Sequence, residues 1–486
     1  MANLKSLAKD TAIYGVSSIV GRFLNYLLVP LYTAKISAES GGYGVITNIY
    51  AYTSVLLVIL TYGMETTFFR YANKTDENSK QIYATTLSMV GISSLLFIII
   101  IFAFLSPISH FMGYAEHPSF VWVMFVTVAI DAFQCIPFAY LRYKKRPLKF
   151  AGLKLLFIAL NIVLNLTYYL FLGGHDVGYA FYINLFCTAS ITLFFWKELK
   201  EGFFSGVKLL DIKLVKKMLS YSWPILVLGI AGMMNQNAGP ILFPKLYHAA
   251  DAHKQLGIFG ASVKIAMIMS MIMQAFRYAY EPFVFGKAKD KDSKQTYGQA
   301  MKYYIIFTLL AFLVVMGYMN ILQHLIAKDY REGLKVVPIV MMGSIMTGAF
   351  FNLSFWYKLI DKTIWGVYLS GIGCIVIISI NIIFVPKYGY MACAWAGLTG
   401  NAVAMILSYI SGQKYYPINY PLKSIFTYFV IALIFFTGIT YSNEFLSAPF
   451  AFIANTIIIL LFIAHIIYHD MPKGAIQKIK HKFHLF

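Results

Sequence analysis

Two basic residues lie inside segments that are otherwise apolar, and their types indicate what chemistry they could perform. Arg22 lies near the middle of the first apolar segment, and Lys264 lies within the eighth. A central arginine costs about 2.5–3.5 kcal/mol on membrane-insertion scales, so we expect it to face an aqueous cavity or a charged partner rather than lipid. A guanidinium also donates two parallel hydrogen bonds to phosphate. The pair therefore indicates a cavity for an anionic ligand, unless each base only neutralises a nearby acid.

Asp131 lies at mid-depth in an apolar segment, and it admits two interpretations. It could neutralise one of the basic residues, or it could bind a coupling cation, because a carboxylate at this depth is what proton or sodium coupling requires. The sequence shows no second acid nearby, which weakens the case for sodium. Asn48, which occupies the position of Lys264 in the repeat described next, is predicted to contact the substrate as well.

Polar residues recur at one fixed offset along the chain. Glu65 and Glu281 are 216 residues apart. The same offset relates Tyr43-Gly44 to Phe259-Gly260, Tyr62 to Tyr278, Arg142 to Lys358, Arg146 to Lys362 and Asn165 to Asn381. Such coincidences in an apolar sequence indicate two copies of one membrane unit. We predict an N-terminal six-helix bundle at 1–200, a cytoplasmic amphipathic linker at 201–218, a C-terminal six-helix bundle at 219–412, and two further helices with a basic cytoplasmic tail at 413–486.

The composition is that of a membrane protein. Of the 486 residues, 59% are hydrophobic and 12% are charged. Apolar blocks of about 18–25 residues are long enough to cross roughly 30 Å of hydrocarbon as helices. We find about fourteen such blocks, at roughly 11–34, 44–66, 85–105, 119–141, 151–172, 177–196, 219–240, 257–280, 300–322, 335–357, 363–384, 389–411, 424–441 and 449–468. The predicted fold is an all-α polytopic membrane protein, with both copies in the same orientation because six is an even number.

The net charge of +20 has a placement that argues against nucleic acid. Most of the 40 lysines and arginines fall in loops on one side of the predicted membrane. This asymmetry predicts that both termini are cytoplasmic, and basic loops favour anionic lipid headgroups. The segment Val207–Met218 mixes basic and apolar positions, so it either lies in the membrane surface or is the basic flank of the seventh segment. The basic tail Lys473–Phe486 is predicted to be another surface segment.

The two duplicated glutamates end their segments on the basic side, where a gate could form. Arg277 precedes Glu281 by four residues and could pair with it on one helix face, and Arg70 could pair with Glu65. These groups either lock the cytoplasmic ends of the two bundles or form static salt bridges. Gly239-Pro240, near the other end of the seventh segment, is either a hinge or a fixed kink.

Catalytic, metal and cofactor sites are not expected. The four cysteines fall in apolar segments without CxxC or histidine pairing, and the ten histidines lie in loops or at segment ends. The sequence has no G-x-S-x-G or Walker motif.

Several short motifs together resemble one known superfamily. They are Lys9-Asp10-Thr11-Ala12-Ile13-Tyr14-Gly15 with Arg22 and Pro30, Gly42-Tyr43-Gly44, Arg277-Tyr278-Ala279-Tyr280-Glu281-Pro282-Phe283, and Tyr388-Gly389-Tyr390-Met391-Ala392-Cys393-Ala394. In order and spacing they resemble the multidrug/oligosaccharidyl-lipid/polysaccharide (MOP) exporters, within which the chain looks like a bacterial polysaccharide flippase of the O-antigen type.

The resemblance implies two six-helix bundles with an extra helix pair, in the bacterial inner membrane. It implies as substrate an oligosaccharide on undecaprenyl diphosphate, moved to the periplasmic leaflet for lipopolysaccharide O-antigen, capsule or exopolysaccharide. Alternating access would be coupled to a proton or sodium gradient or to the membrane potential, with polysaccharide polymerase machinery as a possible partner.

Two other functions are weighed against this one. A multidrug antiporter of the same superfamily typically has twelve helices and acidic cavity residues, whereas this chain has about fourteen segments and mainly basic central charges. A polysaccharide polymerase or ligase usually has a long periplasmic loop with catalytic arginines, which this sequence lacks.

Overall fold

The computed structural model describes residues 28–74, 78–204, 206–287, 292–360 and 362–470. These residues form helices and no strand. Twelve helices are long and apolar enough to cross a membrane, or thirteen if a pair bent by 62° is one span. The all-α polytopic fold is thereby confirmed. Each predicted segment from the second onward has its counterpart among these helices, whereas the first lies largely outside the described residues and contributes only its last helical turns.

The helices of the first part begin and end as follows: α1 Leu28–Lys35, α2 Gly42–Thr61, α3 Met64–Lys74, α4 Ser79–Ala103, α5 Leu105–Met112, α6 Pro118–Tyr143, α7 Pro147–Leu166, α8 Gly178–Leu193 and α9 Trp196–Phe203. A π-helical turn, Thr167–Phe171, extends α7. Helices α2 and α3 together form one span, and α8 and α9 are the bent pair. Tyr62 and Gly63 separate α2 from α3 with φ angles of 30° and 72°, which places Glu65 in the first turn of α3.

The second part continues with α10 Ile212–Leu246, α11 Ala252–Lys287, α12 Ser293–Gly317, α13 Met319–Leu322, α14 Val337–Leu353, α15 Phe355–Leu359, α16 Ile364–Tyr388, α17 Tyr390–Tyr415, α18 Leu422–Phe445 and α19 Ala448–Asp470. Two 3-10 segments, Gln323–Leu325 and Lys328–Val336, lead into α14.

Among its described residues, the predicted linker contains no separate helix after Phe203. Asp211 caps α10 by accepting hydrogen bonds from the backbone N–H groups of Lys213 and Leu214, at 2.9 and 3.3 Å. An aspartate at the N-cap of a helix accepts hydrogen bonds from backbone N–H groups that have no partner within the first helical turn. Residues 212–218, which we assigned to the linker, therefore belong to the transmembrane helix α10. The short amphipathic helix of this region is α9, further upstream.

The contacts divide the chain into two compact units, and each is described separately. The first contains the described residues up to Lys264 together with Ile364–Gly400. Its helix α10 packs along both α2 and α16. Aromatic rings fill part of its interior: Tyr83 stacks on Tyr140 with 3.8 Å between ring centroids, and Phe68 packs edge-on against Tyr83. The units do not follow the boundaries of the two predicted bundles, which remain a prediction.

The second unit contains Ile265–Thr363 and the described residues from Asn401 onward. In it the C-terminal pair α18 and α19 packs on α12. Asn455 donates a hydrogen bond to the Gly317 carbonyl at 2.9 Å, while Asp470 pairs with Lys302 and accepts a hydrogen bond from Tyr428. Polar groups thus fasten both ends of α19 to its neighbours.

Candidate functional site

Helices α2 and α11 cross with their backbones in contact. The basic end of the first unit is the side with the predicted basic loops. The opposite end is the side that carries this crossing and loops 36–41, 113–117 and 247–251. A Cβ atom on Gly44 would lie 1.8 Å from the His253 carbonyl oxygen, and one on Gly257 would lie 3.0 Å from the Gly44 nitrogen. Residues without a side chain let helices approach this closely.

The crossing joins equivalent positions of the two predicted copies. Gly41 and Gly257 are 216 residues apart, as are Gly44 and Gly260. A Cβ on Gly260 would lie 2.3 Å from the Thr47 hydroxyl oxygen. Beside the crossing, Glu39 forms an ion pair with Lys254. The repeat therefore places the same pattern of small residues on both helices where they meet.

Asn48 bridges α2 to α10 and to the loop after α5. Its Nδ2 donates to the carbonyl of Pro240 at 2.6 Å, and its Oδ1 accepts from the Tyr114 hydroxyl at 2.8 Å. Burial, with a smaller contribution from Tyr52, raises the pKa of Tyr114 above its ordinary value, so the hydroxyl remains a donor. We predicted Asn48 as a substrate contact. The structure instead engages both ends of its amide with protein, and the residue is 1% exposed.

The predicted hinge at Gly239-Pro240 lies within a continuous helix. Helix α10 runs through Pro224, Pro240 and Pro244. A Cβ on Gly239 would lie 3.3 Å from the Cys393 sulfur, so this position is packed against its neighbour. Whether the segment bends during function remains a prediction.

Glu65 at the basic end has a different partner from the one predicted. It forms an ion pair with Arg142, in the last turn of α6, whereas Arg70 lies over the ring of Tyr221 with its Cζ 4.0 Å from the centroid. Both members of the ion pair belong to the first copy. The contact therefore ties α3 to α6 within one bundle, and the sequence-based pairing with Arg70 is corrected.

Arg277, the predicted partner of Glu281, lies in the second unit over the ring of Phe351, 4.6 Å from the centroid. Lys358 lies over the same ring at 4.6 Å. The side chain of Glu281 lies outside the described residues, so the second half of the predicted gate remains a prediction.

Asp131 lies in a polar interior of the first unit. The Thr188 hydroxyl donates to its Oδ1 at 3.3 Å, and Lys154 of α7 interacts with it electrostatically. The ammonium of Lys154 lies 4.0 Å from the centre of the Phe138 ring. The structure thus identifies Lys154 as a basic neighbour of Asp131.

Further amides and hydroxyls continue this interior through α1, α2 and α8. Tyr32 donates to Asn165 at 2.8 Å, and Asn184 donates to the Tyr50 hydroxyl at 3.1 Å. At the 216-residue offset, Gln134, Asn161, Asn184 and Thr188 correspond to Phe350, Ile377, Gly400 and Ala404. These four polar positions are therefore specific to the first copy, whereas Asn165 has a polar counterpart in Asn381.

Lys264 is half-buried within α11 and forms no ion pair or hydrogen bond with any residue that the structure describes. Arg22, the other predicted anion contact, lies outside the described residues. Of the two basic residues predicted to contact an anion, the structure therefore describes Lys264, which lies inside a membrane-spanning helix.

Residues 7–280 match a family described as polysaccharide biosynthesis protein. This chain belongs to that family. The match covers more than half of the sequence, including α2, α10 and most of α11. It confirms the polysaccharide-biosynthesis part of the resemblance that the motifs carry.

Solved structures share the fold of this polysaccharide biosynthesis protein. An inward-closed structure of the lipid II flippase MurJ matches with a TM-score of 0.70 at 15% identity, over 94% of this chain and 98% of that one. An inward-facing multidrug resistance MATE family transporter of the MOP superfamily matches with a TM-score of 0.63 at 15% identity, over 83% and 94%. A structure of the MATE multidrug transporter DinF-BH matches with a TM-score of 0.60 at 18% identity, over 84% and 95%. No curated protein matches the chain.

Sequence reasoning missed the partner of Glu65 although the signal was present. Arg142 and Lys358 share the offset of Glu65 and Glu281, so each copy carries an acid and a base at corresponding positions. It also missed the bridging role of Asn48. Pro244 provided that signal, because a proline leaves the carbonyl four residues earlier without its helical donor.

Proposed function

We propose that this protein is a flippase that moves a lipid-linked oligosaccharide, carried on undecaprenyl diphosphate, across the bacterial inner membrane for surface polysaccharide synthesis. The observation that carries the proposal is Lys264, a cation inside a span without an acidic partner among the described residues, in a chain of the polysaccharide biosynthesis family. An unpaired base at that depth favours an aqueous cavity and an anionic group such as a diphosphate. Arg22 would complete the same site.

The cargo would move by alternating access. The glycine crossing and the Asn48 bridge would close the opposite end in this conformation, leaving the basic end as the entrance. Rocking of the two repeats would then reverse the accessibility. Glu65 and Glu281, with Arg142, Arg277 and neighbouring bases, would close the basic end in the alternate state.

The basic end would be cytoplasmic, as the distribution of lysine and arginine indicates, with both termini on that side. Its basic loops would contact anionic lipids, and polysaccharide polymerase machinery would receive the cargo on the other side. This chain would bind no nucleic acid and act as a transporter rather than an enzyme.

Asp131 would couple transport to a cation gradient, with the proton preferred. Lys154 and the Thr188 hydroxyl adjoin the carboxylate, so a proton arriving at Asp131 would alter the charge balance of the bundle interior. Sodium and the membrane potential are the other candidate driving forces.

A multidrug antiporter is the second candidate, and the likeness to MATE transporters favours it. Those likenesses cover 83–84% of this chain, whereas the likeness to MurJ covers 94%. Lys264, which has no acidic partner among the described residues, also disfavours a cationic drug, because like charges repel in a cavity of low dielectric.

The test is surface glycan export by cells in which this gene is the only copy. We expect Lys264→Ala and Arg22→Ala to abolish export while the protein remains folded in the membrane. Lys423→Ala, at an exposed lysine near the start of α18, is the matched control and should export normally. Normal export by both cavity variants would contradict the proposed function.

A further inference from the structure

Two polar side chains lie one helical turn from the contact between Asn48 and Pro240. Tyr52 follows Asn48 by four residues in α2, and Gln236 precedes Pro240 by four in α10. Residues four apart lie on the same helix face, roughly 6 Å apart along the axis. A second approach, where a Cβ on Gly229 would lie 2.7 Å from Val58, fixes the antiparallel alignment of the two helices. Tyr52 and Gln236 therefore lie at one depth on two helices that contact each other.

Gln236 differs from the residues around it in α10. Asn235 contacts Ser370 through its Nδ2, and Asn237 donates to the Met233 carbonyl of its own helix at 3.0 Å. Gln236 is exposed, and its amide forms no hydrogen bond within the part of the chain that the structure describes. Of these three neighbouring amides, that of Gln236 therefore has its donors and its acceptor available to a ligand.

Tyr52 is half-buried, and its hydroxyl likewise forms no hydrogen bond with described residues. Tyr52 lies one helical turn from Asn48, whose Oδ1 accepts from the Tyr114 hydroxyl at 2.8 Å. The Tyr52 ring thus lies on the face of α2 that carries Asn48.

The positions of Tyr52 and Gln236 along their helices indicate what surrounds their side chains. Tyr52 lies in the middle of α2, and Gln236 is ten residues from the end of α10, which is roughly 15 Å. An amide without hydrogen-bond partners is unfavourable in hydrocarbon, so an aqueous cavity is the favourable surrounding. Pro240 has no N–H, and the Gln236 carbonyl therefore lacks its usual helical donor and adds an acceptor at the same place.

We propose that Tyr52 and Gln236 form a sugar-binding subsite that recognises the glycan of the cargo rather than its diphosphate. This inference rests on the proposed function and names part of its substrate. The tyrosine ring would pack against the C–H face of a pyranose, and the Gln236 amide would exchange hydrogen bonds with adjacent hydroxyls. Both side chains are neutral, which suits a sugar and leaves the anionic group to Lys264.

The test measures the binding of two probes to the full-length protein in nanodiscs. One probe is the pool of undecaprenyl diphosphate oligosaccharides extracted from the cells that make the protein, and the other is undecaprenyl diphosphate without sugar. The wild type should bind the glycan-bearing lipid more tightly. Gln236→Leu and Tyr52→Leu should each reduce that preference about tenfold, with the Kd for the sugar-free lipid unchanged. Tyr52→Phe keeps the ring and should retain most of the preference.

Asn237→Leu is the matched control, because its amide donor is already used within α10, and it should keep the wild-type preference. Melting curves without ligand establish that each variant is folded. Variants that keep the wild-type preference, or a wild type that binds both probes equally, would overturn the subsite while leaving the flippase in place. A wild type that binds neither probe would contradict the proposed function itself.

Discussion

The Asn48 amide donates to the carbonyl of Pro240, which is the carbonyl that Pro244 deprives of its helical donor. Proline inside a membrane helix is tolerated where a neighbouring group satisfies the freed carbonyl. Here that group comes from α2, so the proline-rich end of α10 is held to α2 by a side chain rather than by its own backbone. The bridge lies beside the glycine crossing of α2 and α11.

Replacing Asn48 with leucine should destabilise this conformation. The Pro240 carbonyl and the Tyr114 hydroxyl would both lose a buried partner, at a cost of about 1–3 kcal/mol for each unsatisfied group. Thermal unfolding in detergent measures the effect. Asn73→Leu, at an exposed asparagine whose amide donates to the Phe69 carbonyl of its own helix, is the control and should unfold like the wild type. Equal melting temperatures for the two variants would refute the bridge.

Gly44→Leu should prevent the close crossing of α2 and α11, because even a Cβ would meet the His253 carbonyl oxygen at 1.8 Å. We expect the opposite end to open and residues near it to become accessible to a charged thiol reagent at an introduced cysteine. Gly152→Leu, where a Cβ meets nothing within 4 Å, should leave the accessibility unchanged. An unchanged pattern in Gly44→Leu would show that this crossing does not close the protein.

Exchanging the charges of Glu65 and Arg142 distinguishes a moving gate from a static salt bridge. Because the two side chains are 46% and 32% exposed, the pair contributes only about 0–1 kcal/mol to stability. Glu65→Arg alone should disfavour the alternate state in which the basic end closes, and Glu65→Arg with Arg142→Glu should restore that closure. The readout is the spin-label distance across that end. If the single variant keeps the wild-type distances, the gate interpretation fails.

Asp131→Asn tests the coupling proposal. The amide cannot release a proton. We therefore expect the variant to bind cargo, while the rate of cargo transfer no longer responds to an imposed pH gradient. Asp176→Asn, at a loop carboxylate that caps Gly178, is the control. An unaltered response to the gradient in Asp131→Asn would exclude this carboxylate as the coupling group.

The sequence predicted the helices well because apolar blocks of spanning length leave few alternatives to a membrane helix. It was less successful in predicting which residues contact each other. Arg70 was chosen for Glu65 because it is near in sequence, whereas the actual base, Arg142, comes from another helix and depends on how α3 packs against α6. Asn48 was assigned to the ligand because it corresponds to Lys264 in the repeat, but equivalent positions need not share a role once one of them faces a proline carbonyl.

The proposed flippase activity can be measured in proteoliposomes that contain the purified protein and lipid-linked oligosaccharide from its own cells. A glycosidase added outside reports how much glycan has reached the outer leaflet. We expect rapid transfer with the wild type, loss of transfer with Lys264→Ala and wild-type transfer with Lys423→Ala. Transfer no faster than in protein-free liposomes, or equal transfer by wild type and Lys264→Ala, would contradict the proposed flippase activity.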